Sequence, residues 1–426
     1  MNLVEFESAF KKGLGRCIPL LHENPDKYRS IVEKYLTFCL SDDIIIEDTR
    51  SMYMFDAISV YNDYNYFYNL VKSAFIDEDI NNYKNIAYLS DLLSIFENHG
   101  FSSRELFLTK IRKIYNYLYN QEKYCEELND ILCSYFAING LYSLVYELNL
   151  EVITLIGSLI RKNIILKLPN FLKSIYLDDE VFNKIQDDSN DNVKSFLVLL
   201  TEDYDFESIH VYDFLYIFDK EKEKQKDELN LNNENVNTQK EYALKYLEAK
   251  TEEDKIKTLK YFVNCVFPLD ITNILYDAKS NNKDLKKISY LVLSNIKNHK
   301  LKQYAINNLE KDPEYVLSIL LLNYDDENDI KYLKQCIIKI NTENTENHIL
   351  VYYKFLDFLK ANNLIHSFIE ILPFMYEQTT SAILRYEILC LMSYHNIVPT
   401  DILNECQYDS NFQIRFLFEE LNNEYQ

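Results

Sequence analysis

Between Asp284 and Ile340 the chain passes through four apolar stripes, each too short to stand alone, and nothing else in the sequence restricts the fold as tightly. Leu285, Ile288, Leu291, Val292 and Ile296 recur three and four residues apart, so one face of a helix is greasy while Lys286, Lys287 and Asn295 face water. Asn298-His299-Lys300 breaks the pattern, and Leu301, Tyr304, Ala305 and Leu309 begin a second stripe that stops at Asp312-Pro313. Proline closes one helix there and opens the next. Tyr315, Val316, Ile319 and Leu320 form the third stripe; after Asn323-Tyr324-Asp325-Asp326, Ile330, Leu333, Cys336, Ile337 and Ile340 form the fourth. Helices this short are marginal in isolation, so each must lay its apolar face on a neighbour. Stacking in series is the expected solution.

The rest of the chain repeats this texture. Phe6, Phe10 and Leu14 share a face and lead to a break at Asn24-Pro25-Asp26, followed by Tyr28, Ile31, Val32, Tyr35, Leu36 and Cys39 at helical spacing. Met52 to Phe75 is the most aromatic segment, and its rings are too many for one helix to bury. Helices are expected through Leu92–Phe96, Leu106–Tyr119 and Leu128–Phe136, with the best-buried positions at Leu144, Leu148, Val152, Leu155, Leu159, Ile164 and Leu168. A charged run from Asp219 to Glu228 continues into Asn232-Asn233-Glu234-Asn235 and has little to bury. The expected organisation is therefore a helical region over 1–218, an exposed loop or linker over 219–240, and a second helical region over 241–426.

Five Gly and seven Pro in 426 residues are too few for an all-β fold and leave no Gly-rich phosphate loop. Gly13 and Gly15 form a lone GxG with no strand before it, which reads as a helix-end turn. The eight Cys show no metal spacing and read as reduced core residues. None of His22, His99, His210, His299, His348, His366 and His395 stands in a ligand pair on one helix face; His99, His299 and His348 read as solvent-facing turn residues. Asp188 to Asn192 mimics the start of a calcium loop, but Val193 stands where the turn needs Gly and Leu199 where the bidentate Glu belongs. No cofactor or metal is expected. The N-terminus has no basic region before an apolar run, and the longest apolar patch, Val152 to Ile160, is half a bilayer's requirement, so the expectation is cytoplasmic. Abundant Asn, Lys, Ile and Tyr suggest a bacterial or phage source.

One local pattern recurs: acidic or amide residues, an aliphatic, a base, then an apolar helix. It runs Asp188-Ser189-Asn190-Asp191-Asn192-Val193-Lys194, Asp326-Glu327-Asn328-Asp329-Ile330-Lys331 and Asp409-Ser410-Asn411-Phe412-Gln413-Ile414-Arg415, with a weaker copy at Asn281-Asn282-Lys283-Asp284-Leu285-Lys286. The aliphatic positions 193, 285, 330 and 414 are 92, 45 and 84 residues apart, close to two, one and two periods of about 42 to 46. In this the chain resembles the HEAT and phycobilisome-lyase-like repeat superfamily, whose second helix typically opens with Asp, polar residues, Val and Arg. The resemblance covers mainly residues 180–200 and 280–426, and it implies an all-α fold, an α-solenoid of HEAT-like helix pairs. Physically, the Asp or Asn caps exposed N–H groups, the aliphatic opens the buried stripe, and the base reaches the next repeat's acidic turn.

Function is bounded mainly by charge. With 67 acidic against 45 basic residues the formal charge is −22, which repels phosphate backbones and anionic lipid. The leading expectation is a non-catalytic scaffold or adaptor that binds a protein partner of basic or mixed charge, without nucleic acid or membrane, using surplus rings at Tyr53, Tyr61, Tyr64, Tyr66 and Tyr68 as anchors. The alternative is an acidic inhibitor, an immunity or DNA-mimic protein that covers the basic cleft of a nuclease or toxin. A HEAT-like DNA glycosylase is the third reading; it needs a basic groove with stacking aromatics, and this chain is acidic and lacks Trp.

Overall fold

A computed structural model describes residues 1–38, 50–121, 146–165, 189–201, 236–340 and 345–424, with positions 125, 128–129, 131–132 and 168. Among these residues there are twenty-one α-helices and no strand. They fall into two compact units, Met1–Glu207 with Asn404–Gln426, and Ser208–Leu403. The expected linker at 219–240 lies outside the described residues except for 236–240, which are helical. Leu144 and the 133–136 end of the expected helix at 128–136 also lie outside them, as does the Leu148 side chain.

The first unit contains α1 (Leu3–Lys12), α2 (Cys17–Glu23), α3 (Pro25–Leu36), α4 (Arg50–Ser59), α5 (Tyr64–Asp77), α6 (Tyr83–Asn98), α7 (Arg104–Gln121), α8 (Tyr146–Arg161) and α9 (Asp191–Thr201). The second contains α10 (Val236–Glu248), α11 (Glu252–Leu259), α12 (Thr272–Asp277), α13 (Lys283–Leu293), α14 (His299–Asn308), α15 (Pro313–Leu322), α16 (Ile330–Lys339), α17 (Thr345–Ala361), α18 (Ile371–Gln378) and α19 (Ala382–Tyr394). The chain ends in α20 (Thr400–Cys406) and α21 (Phe412–Glu424), and from Asn404 onward it belongs to the first unit.

In the second unit packing runs from a helix to its successor and to the next but one: α10 on α11, α11 on α13, α13 on α15, α15 on both α16 and α17, α16 on α18, and α17 on α19. Leu285, Val292, Leu301, Val316, Ile319, Leu333, Cys336 and Ile337 supply the buried seam, as the stripe periodicity predicts. Each fully buried Leu, Ile or Val contributes about 1.5–3 kcal/mol, and sharing these side chains between neighbours stabilises helices of only ten residues.

The recurring motif works as a helix start. Asn282 Oδ1 accepts from the N–H groups of Asp284 and Leu285 at 3.0 and 3.2 Å. Asn190, Asp326 and Asp409 likewise accept from the N–H two residues on, at 2.9, 2.8 and 2.9 Å. Satisfying otherwise orphaned N–H groups is worth about 1 kcal/mol per helix. Val193, Leu285 and Ile414 behind the caps are buried, whereas Ile330 is half-buried. Lys286 does reach the next acidic turn, donating to Asp312, and Arg415 pairs with Asp56 of α4 at 2.8 Å. Lys194 is exposed, and Lys331 lies over the Tyr332 ring instead.

Helix ends explain how so few glycines suffice. Asn62, Asn163, Asn363 and Asn396 adopt left-handed φ values of 52–57°, as glycine does at Gly13 and Gly100. Ile164, Leu364 and Ile397 donate back to Leu159, Leu359 and Met392, the same six-to-one closure that Leu14 makes to Ala9 and Phe101 to Phe96. Asn62 also divides the aromatic stretch Met52–Phe75, which forms two helices rather than one.

Glycines are spent where backbone must touch backbone. A Cβ on Gly157 of α8 would lie 1.9 Å from the Asn192 carbonyl oxygen, where α9 begins, and a Cβ on Gly15 would lie 1.9 Å from the Glu405 carbonyl oxygen. Around Gly15 the C-terminal segment is clasped by polar contacts. Ser410 donates its N–H to the Gly13 carbonyl at 3.0 Å, and Arg16 grips Glu405 through two bonds of 2.5 and 2.9 Å. Buried Arg50 donates to the Lys11 carbonyl that ends α1, and Tyr53 to the Leu14 carbonyl. Asp409, Ser410 and Asn411 are fully buried here.

Candidate interaction surface

The five tyrosines expected to anchor a partner divide by position. Tyr53 is fully buried against Phe10, and its hydroxyl donates to Leu14 as above. Tyr68 is 9% exposed, packs on Phe96 and Phe101, and donates to the Ser102 carbonyl at 2.7 Å. Neither ring has a face to offer. Tyr64 is half-buried and stacks on Phe55 and His99. His99 is an exposed turn residue, as expected, and it also bonds the Ile95 carbonyl through Nδ1 at 2.9 Å.

Tyr61 and Tyr66 converge on a residue the sequence had not singled out. The Arg29 guanidinium, on α3, lies 5.2 Å from the centroids of both rings and 5.4 Å from that of Phe67. Its Nε donates to Glu33 one turn along at 2.8 Å, and Asp63 approaches it at 3.6 Å. The Glu33 hydrogen bond holds the guanidinium still further above its usual range. The left-handed Asn62 sets the turn that presents Tyr61, whose hydroxyl donates to the Pro25 carbonyl at 3.0 Å. Burial pushes the Tyr61 phenol up to about 12, with Arg29 opposing the shift. Tyr66 remains 40% exposed beside Phe67, and Asp63 is exposed at the rim. The result is a rigid Tyr/Arg platform with one accessible ring, of the composition found where protein interfaces concentrate their energy.

Elsewhere the polar clusters are internal. In the second unit Asp277 accepts from Tyr246 at 2.7 Å and from Lys255 at 2.8 Å, and Asp312 accepts from Tyr290 at 3.0 Å and from Lys286. Lys302 bridges Asp329 at 2.6 Å and Asp325 at 2.9 Å. Burial, reinforced by the adjacent hydrogen-bond partners, drives the Tyr246 and Tyr290 phenols upward, so both remain protonated donors. These contacts tie helices together, with Asp277, Asp312 and Asp329 buried or nearly so and Asp325 exposed. Cys17, Cys336 and Cys406 are buried, and burial pushes the Cys17 thiol up to about 12, so Cys17 stays a thiol near neutral pH. Among the described residues no helix is long and apolar enough to cross a membrane, and no three metal-ligating side chains gather.

No family model, curated protein or solved structure matches the chain.

Proposed function

We propose that the chain is a HEAT-like helical-repeat scaffold that binds a protein partner, basic or mixed in charge, on the face formed by α3 and the α4–α5 turn. The capped motif copies and the successor and next-but-one packing support the repeat reading. The observation that carries the binding reading is Arg29 fixed against Tyr61, Tyr66 and Phe67 while Tyr66 stays exposed. An ordered side chain of this kind loses little entropy on binding, and a partially exposed tyrosine offers both apolar area and a hydroxyl.

The test is affinity capture from extract of the native host, comparing the wild-type chain with Tyr66→Ala and Arg29→Ala. A stoichiometric protein retained by the wild type and lost by both variants is the expected result; recovery of nothing stoichiometric, or equal recovery by all three, contradicts it. The acidic-inhibitor reading draws on the net charge of −22. It is distinguished by a basic enzyme as the captured partner, loss of that enzyme's activity in the complex, and binding that weakens steeply with salt.

A further inference from the structure

Two of the seven histidines meet in space, although they are 29 positions apart in sequence. His366 lies in the 3-10 turn Ile365–Phe368 after α17, and His395 directly follows α19. The two helices pack side by side and end in the same device, a left-handed asparagine at Asn363 and Asn396, so their terminal turns line up. Ile365 and Phe368 are buried on either side of His366 and fix its backbone, while the ring itself is exposed. The imidazole centroids are 5.3 Å apart with planes at 86°. Among the described residues neither ring makes a hydrogen bond or an ion pair; His366 is exposed and His395 half-buried.

Metal–nitrogen bonds to imidazole are about 2.0–2.1 Å, and a tetrahedral ion held by two imidazoles sets their centroids roughly 5.2 Å apart. The observed separation matches that requirement. We infer that His366 and His395 form a surface site for a borderline divalent transition-metal ion such as Zn2+. One nitrogen of each ring binds the ion, and water fills the other positions. Imidazole suits Zn2+, Cu2+ and Ni2+ and discriminates against Mg2+ and Ca2+. Tyr394 is 83% exposed and lies edge-on to His395 at 5.1 Å. The site belongs to the second unit and is independent of the Tyr66 platform.

The full-length, tag-free chain is titrated with Zn2+ by calorimetry near neutral pH, alongside His366→Ala, His395→Ala and, as a control, His299→Ala. The expected result is one Zn2+ equivalent for the wild type and for His299→Ala, and at least about tenfold weaker binding in either site variant, with unchanged far-UV circular dichroism. A second measurement avoids variants altogether: Zn2+ should protect His366 and His395 of the wild type from acylation by diethyl pyrocarbonate while His299 continues to react. Equal affinity in all four proteins, or no selective protection, overturns the assignment.

Discussion

The motif copies at 188–194 and 409–415, in the first unit, are seated by contacts different from those that hold the copies at 281–286 and 326–331 in the second. In the first, backbone meets glycine, with α9 beginning against Gly157 and the segment at Glu405 lying on Gly15, and the Arg16–Glu405 and Arg415–Asp56 pairs add to the second of these contacts. In the second, side chains make the connection. Asn282 donates to Glu252 of α11 at 2.8 Å, Lys286 holds Asp312, and Asp329 is held by Lys302 of α14. The same local signal therefore specifies how a helix starts, while the neighbour it meets decides how it docks. Close backbone approach is rigid and insensitive to salt; ion pairs tolerate small displacements but depend on both charges being present.

Gly15→Ala and Gly157→Ala test the first device and carry the largest expected effect. With carbonyl oxygens 1.9 Å from the new methyl, helices must separate, and each variant should lose about 3 kcal/mol in a chemical-denaturation experiment. A loss below about 1 kcal/mol would mean that the contact is easily relaxed. Lys286→Ala tests the second device by leaving Asp312 buried without its ammonium. Lys286 itself is partly solvated, so the loss should be about 2 kcal/mol, and unlike the glycine variants it should shrink in high salt.

Much of the second unit can be read from sequence because its signals are local. Pro313 opens α15 where expected, and the stripes that begin at Leu285, Leu301 and Ile330 fall on α13, α14 and α16, with ends displaced by a few residues. The first unit hides more. Asn62 breaks the Met52–Phe75 stretch by taking a conformation usually left to glycine, and the apolar periodicity continues through it. Gly13 and Gly15 are a helix-end turn, as read, but their second role depends on Glu405 and Ser410, nearly the whole chain away. Arg29 was invisible as part of the proposed surface because a lone arginine four positions before a glutamate looks like any solvated pair; only the fold brings three rings to it.

Smaller effects sharpen the same contrast. Asn363→Val should cost about 1–2 kcal/mol and Asn363→Gly only a few tenths, as measured by thermal unfolding, since the strain lies in a Cβ at positive φ. Equal losses would place the effect in the asparagine side chain. In the second unit, the hydrogen bond from Lys302 holds Asp325 below its ordinary 3.8, so this stability is present above 3.8 and is lost as the pH falls through the depressed value. Burial pulls the Lys302 ammonium down, but Asp329 and Asp325 together raise it above 10.5. That contribution is present below 10.5 and is lost as the pH rises through the elevated value. Lys302→Met should flatten both limbs of the stability–pH curve relative to wild type, and an unchanged curve would show the bridge to be energetically silent. Tyr66→Ala should change stability by less than about 0.5 kcal/mol, because its ring covers a rim and not a core.

Hydrogen exchange of the Gly157→Ala chain over residues 189–201 addresses the docking contrast most directly. If α9 is seated by backbone contact, its amide protection should collapse toward that of an isolated helix even in high salt. Protection equal to wild type would contradict the account.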